Sequence, residues 1–176
     1  MTNENHLASA KKIFVNYKLL GEKAMAQLDP DEFFQLLLED INTIAVIVQH
    51  LAGNMLSRWT DFLTTDGEKD WRNRDAEFET VLKNKDEVML KWEEGWACLF
   101  NAIDQLQPTQ LEQIVLIRNE PHTVLEAINR QLSHYPYHVG QIIFCAKVFK
   151  GNHFKSLSIP RNKSGEFNAE KFGQGN

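Results

Sequence analysis

The chain has 176 residues, 24 of them acidic and 19 basic, for a formal charge of −5. That length suits about one domain on a prior of roughly 150 residues each, enough to bury an apolar core without staples. The acidic excess argues against a protein whose main business is holding nucleic acid, which carries a basic footprint.

Leu7, Ala10, Phe14, Tyr17, Leu20, Ala24 and Leu28 recur every three or four residues and predict a first helix with one buried stripe. Asp29-Pro30 ends it, and the apolar stretch Phe33 to Leu38 reads as a short helix of its own. A second long helix is expected from Asn42, as N-cap, to about Phe62, with Ile44, Val48, Leu51, Met55 and Phe62 as its stripe. Thr64 to Asn84 is charge-rich and poor in aliphatics, so it reads as a long loop; such loops in small domains are usually functional or mobile. Asn84 with Glu87 forms a capping box that opens a third helix through Val88, Trp92, Trp96, Leu99, Ile103 and Leu106, closed by Pro108. Ile114 to Ile117 is extended or a brief strand. Thr123 with Glu126 is a second capping box and opens a fourth helix, which Gly151-Asn152 stops near Lys150. The tail from His153 is expected to lie extended over the helices or to be partly disordered. The fold class that follows is all-α, a four-helix bundle over 1–150 with a C-terminal tail over 151–176.

Cys98 and Cys145 form no CxxC motif, and the first residues, Met1 to Lys12, hold no apolar run of signal-peptide type. The longest uninterrupted aliphatic run, Ile44 to Val48, is far short of the roughly 20 residues that span a bilayer. A soluble cytoplasmic protein is expected, with no membrane and no nucleic-acid partner.

His134 and His138 stand one turn apart on one face of the fourth helix, the spacing that chelation by a helix requires. They fall at the border of the apolar stripe Ile128, Leu132, Val139 and Ala146. His50 holds a similar border on the second helix, and Asn54, Arg58 and Asp61 continue its stripe. Neutral imidazole binds zinc, nickel or iron, and three protein ligands with an open position describe a catalytic rather than a structural site. Helical histidines are more often surface or core residues, and HxxxH arises often by chance, so the pattern alone leaves both readings open. The segment lacks the glutamate of HExxH, and Gln131 stands where the Glu-x-x-His of di-iron bundles would have its acid. Pro136, between the two histidines and roughly opposite them, predicts a kink.

His50 within VQHLAGN, together with HYPYHVGQ on the fourth helix, resembles the DinB-like superfamily of metal-binding four-helix bundles over nearly the whole chain. The segments NMLSRWTDFLTTDGEKDWRNRDAEF, EAINRQLSHYPYHVGQI and SLSIPRNKSGEFN are similar to its uncharacterised YizA-like subgroup, which carries a metal-dependent hydrolase label. The resemblance implies His50, His134 and His138 as ligands of one divalent ion, zinc or nickel foremost and iron or manganese next, with water completing the shell. It also implies a homodimer, and it offers low-molecular-weight thiol transfer beside hydrolysis.

Other residues carry weaker readings. Arg58 is a candidate for holding an anionic substrate group bidentately, and Asp61 for accepting a histidine N–H; the plainer alternative for both is an ion pair on a solvated face. Asn54 orients water or substrate, or caps a carbonyl. Gln141 hydrogen-bonds near the site, and His122 lies outside it. Cys145 is a reactive thiol or fourth ligand, against the commoner fate of a buried small hydrophobe. The loop with Trp71, Arg72 and Arg74 is a lid or recognition surface, or simply solvated. The leading expectation is a metal enzyme acting on a small molecule, hydrolase or thiol transferase. Its alternative is a non-catalytic metal or ligand sensor, or a dimeric interaction module.

Overall fold

Capping chemistry sets the ends of the long helices. The computed structural model describes residues 3–79 and 81–173; positions 1, 2, 80 and 174–176, including three residues of the C-terminal tail, lie outside the described residues. Helix α1 spans Asn3–Met25. Pro30–Phe33 is a single 3-10 turn, and beyond it the expected short helix over 33–38 does not form. Leu36 and Leu38 are left exposed, with no helical stripe to bury.

Helix α2 spans Ile44–Trp59. Its N-cap is Thr43, whose hydroxyl accepts from the Val46 amide at 3.3 Å, one residue beyond the expected Asn42. It ends three residues before Phe62, because Thr60 is extended and Asp61 turns into the left-handed region with φ 48°. Helix α3 spans Lys85–Gln105 and opens on Asn84, whose side chain accepts from the Glu87 amide at 2.9 Å. A hairpin follows: β1, Ile114–Ile117, pairs antiparallel with β2, Glu120–Thr123. Arg118 and Asn119 both take positive φ at its tip, 55° and 61°, as a two-residue type I′ turn requires. Helix α4 spans Val124–Lys150 and begins in the full capping box of Thr123 and Glu126. It runs unbroken through Pro136, which sits over a groove against α1 with Tyr17 and Ile13. The tail departs from expectation too: Ser164–Gly173 forms a helix, α5, exposed along its length.

Among the described residues the chain is mostly helical. Helix α2 lies along α3 and α1 along α4, with further contacts between α2 and α4 and between α1 and α3. The core between them is built on Phe14, Leu51, Met55, Trp92, Trp96, Tyr135 and Val139. At Gly95 the helices approach so closely that an added Cβ would lie 2.9 Å from the Ala52 Cα and 3.1 Å from the Met55 sulfur. No described helix is long and apolar enough to cross a membrane.

Candidate metal centre

Helices α2 and α4 bring their polar borders together. His50, buried on α2, and His134 and His138, half-buried on α4, each offer a ring nitrogen, and these atoms lie within 4.8 Å of one another. The two α4 histidines face each other through Nε2 at 3.1 Å. The other ring nitrogen of each histidine is already committed. His50 Nδ1 donates to Glu77 Oε2 at 2.8 Å, His138 Nδ1 to Gln141 Oε1 at 2.8 Å, and His134 Nδ1 to Gln131 Oε1 at 3.3 Å. A proton fixed on Nδ1 leaves Nε2 as a lone pair, the arrangement that orients metal-binding histidines.

This donor set tests whether a cation belongs there. Burial holds the His134 pKa down to about 3, helped by the neighbouring His138, His50 and two arginines. Burial also lowers that of His138. Both rings are therefore neutral near pH 7, and two neutral rings with occupied Nδ1 atoms aim lone pairs at each other across 3.1 Å. That contact is repulsive until a cation lies between the nitrogens. Two imidazole nitrogens bound tetrahedrally at about 2.0–2.1 Å stand roughly 3.3 Å apart, close to the spacing found. The residues fit a metal ion.

Glu77 was not legible in the sequence. It sits in a 3-10 turn, Asp75–Phe78, within the long connection between α2 and α3. Gln49 on α2 anchors that turn by donating to the carbonyls of Ala76, Glu77 and Glu79 at 2.9–3.1 Å. Burial would raise the Glu77 pKa, but hydrogen bonds from His50 and Arg72 outweigh it and keep the carboxylate ionised. Arg72 donates to both Glu77 oxygens, at 2.7 and 3.0 Å. Gly53 makes room for this carboxylate, since a Cβ there would collide with it. Phe78 stacks on the His50 ring at a centroid distance of 5.0 Å.

The cluster opens onto a cavity of 550 Å³ whose lining includes His50, His134, Asn54 and Arg58. Asn54 is fixed by Tyr135, whose hydroxyl donates to Asn54 Oδ1 at 3.2 Å while accepting from Trp59 Nε1 at 2.9 Å. Arg58 does line the cavity, 3% exposed, and burial lowers its pKa. Asp61 does not: it lies past the end of α2, exposed, in a separate depression with Phe62 and Thr64. The acceptor role expected of Asp61 falls to Glu77. Arg72 and Arg74 reach the cavity wall from the long connection. Trp71 is exposed and takes no part in that lining. Cys145 is buried beside a different cavity, with its thiol pKa raised by burial, and is not part of the cluster. His122 stands on β2, outside the cluster.

Fold and cluster together define a mostly helical protein with three histidines close enough to hold a metal ion. The model of the family described as "Protein of unknown function (DUF1572)" matches residues 1–163, and the chain belongs to that family. Comparison with curated proteins and with solved structures returned no match.

Proposed function

We propose that the chain is a metal-dependent enzyme of DinB-like four-helix-bundle topology, which holds one divalent ion on His50, His134 and His138 and acts on a small molecule in the adjoining cavity. The observation that carries this reading is the convergence of ring nitrogens from three histidines whose Nδ1 atoms are tied to Glu77, Gln131 and Gln141. An ion there would supply Lewis acidity, making a thiolate or hydroxide available near neutral pH. The chain's own residues hold the three rings in one tautomer, exclude bulk water from the α2 side, and offer Asn54 and Arg58 to a substrate.

Between the two chemistries, one feature favours thiol transfer. No carboxylate lines the cavity among the described residues, and Glu77 is engaged by His50 and Arg72. A hydrolase would lack a neighbouring general base, whereas thiol transfer needs only the thiol's deprotonation. The resemblance adds a homodimer, checked by sedimentation.

The metal is tested on protein purified without a histidine tag. Elemental analysis should find about one divalent ion per chain, lost in His50→Ala, His134→Ala and His138→Ala but kept in His153→Ala. Full occupancy in His134→Ala removes that residue from the ligand set. The chemistry is tested by incubating metal-loaded protein with monochlorobimane and bacillithiol, glutathione, cysteine or coenzyme A. Thiol-dependent acceleration over the metal-free control is expected. Cleavage of an ester or amide panel without it makes the protein a hydrolase, and silence in both assays makes it a sensor or interaction module.

A further inference from the structure

Although the whole chain is net negative at −5, five arginines and no acidic residue line the cavity beside the three histidines. Two of the five are spent on the scaffold. Arg72 is taken up by Glu77 and Glu68, and Arg118 donates to Glu68 at 3.2 Å. Arg58, Arg74 and Arg130 have no carboxylate partner among the described residues; Arg74 lies over the Phe78 ring at 5.2 Å. Arg58 is the exceptional one. Its Nε and Nη1 are buried with no hydrogen-bond partner among the described residues. Glu68 and Asp66 attract it only from beyond ion-pair distance, and a buried guanidinium without hydrogen bonds on two of its nitrogens is costly to keep. Its planar fork is also the group best matched to a carboxylate or phosphate.

We propose that the Arg58 end of the cavity is a recognition site for an oxyanion, a carboxylate or phosphate group, on the molecule that the histidine site acts on. Arg58 supplies positive charge at the cavity wall, Arg130 adds charge from α4, and the Asn54 amide nitrogen, free once Tyr135 has fixed its carbonyl, contributes a donor. His50, Asn54 and Arg58 follow one another at four-residue steps on α2. The backbone of Arg58 therefore stands two helical turns from that of His50, about 12 Å along the axis, and the substrate is a small molecule that turns an oxyanion toward the Arg58 end of the cavity. The substrate class rests on the metal-enzyme reading; the anion site itself does not need the ion.

The test separates the two. Binding of inorganic phosphate, phenyl phosphate, succinate and citrate is measured by calorimetry on metal-loaded protein and on the metal-free His134→Ala variant, with glycerol as the neutral control. Saturable binding of the phosphate or the carboxylate pair is expected in both forms, and the stronger pair names the group. Arg58→Met should weaken it roughly tenfold or more, as loss of charge-assisted hydrogen bonds does, and Arg130→Met severalfold. A merely structural arginine is distinguished by melting: without ligand, Arg58→Met should melt at the same or a higher temperature than the parent, because it removes a buried guanidinium with two nitrogens that lack hydrogen bonds. Gly67→Ala gives a second handle, since its Cβ would lie 2.5 Å from Arg58 Nη1 and push the fork aside; it should weaken the anion severalfold. Absence of oxyanion binding in both forms overturns the proposal even if the metal is present. So does an Arg58→Met variant that melts lower and binds the anion unchanged. Anion binding by a protein that never takes up metal leaves the site standing and removes the metal enzyme.

Discussion

The two faces of α2 are built on opposite terms. Toward α3 the helix is dry and close: Ala52 and Met55 meet Gly95 almost backbone to backbone, and on α3 Trp92 and Trp96 carry the core on toward Gly21 of α1 and Tyr135 of α4. Toward α4 and the α2–α3 connection it buries His50, Asn54 and Arg58, groups that cost free energy wherever they lack partners. The dry face fixes where the α2 backbone lies, and the polar face spends that rigidity on holding imidazoles and a guanidinium. Stability should therefore be concentrated on one side of the helix and ligand binding on the other.

Trp96→Ala tests the dry side with the largest effect. The ring is fully buried and packs on Trp92, Phe100 and Tyr135, so a loss of about 3–5 kcal/mol is expected in denaturant unfolding. Gly95→Ala should cost about 1–3 kcal/mol by overpacking and leave metal stoichiometry unchanged. Loss of metal at a normal folded fraction would show that the two faces are not separable. On the polar side, Glu77→Gln should weaken the ion roughly 10–100-fold, the usual cost of losing an orienting partner, read by competition with a chromogenic chelator.

The smallest effect is in pH. His134, held neutral by burial with a folded pKa of about 3 against 6.5 when free, takes up a proton more readily unfolded than folded. Metal-free protein should therefore lose stability as the pH falls from 6.5 toward 3, and keep that contribution in full above 6.5. His138, shifted the same way, adds to the slope. A melting temperature that rises as the pH is lowered through that range would contradict the burial of these rings.

The sequence made the site's helices readable because their signals are local. Thr123 with Glu126 is a complete capping box within four residues, Asn84 caps the Glu87 amide while the Glu87 carboxylate accepts from the Lys83 amide rather than from the Asn84 backbone, and the histidine spacing on α4 needs only helical periodicity. Asn42 and Thr43 are comparable caps, and only the folded chain chooses the second. Nothing near Asp61 announced the left-handed residue that stops α2. The second strand was hidden by Pro121, and α5 by a polar composition that supplies no stripe. Glu77 had no signal at all, since it acts through a hydrogen bond across 27 positions from a stretch without periodicity. Gln131 was noticed for the acid it is not, whereas its carbonyl oxygen holds the His134 ring.

Glu77 reaches the cluster from a connection rather than from a helix, and the same residue receives Arg72 and, through its carbonyl, Gln49. Whatever orders the connection also aims the His50 ring, so the proposed ion, once bound, and the ordering of the loop would share one free energy. Reciprocity then sets a quantitative bond between them. An ion that slows hydrogen exchange at the Asp75–Phe78 amides by some factor must itself be held more tightly, by the same factor, when the loop is closed. A protease that nicks the connection would act as an antagonist of the metal without touching a single ligand.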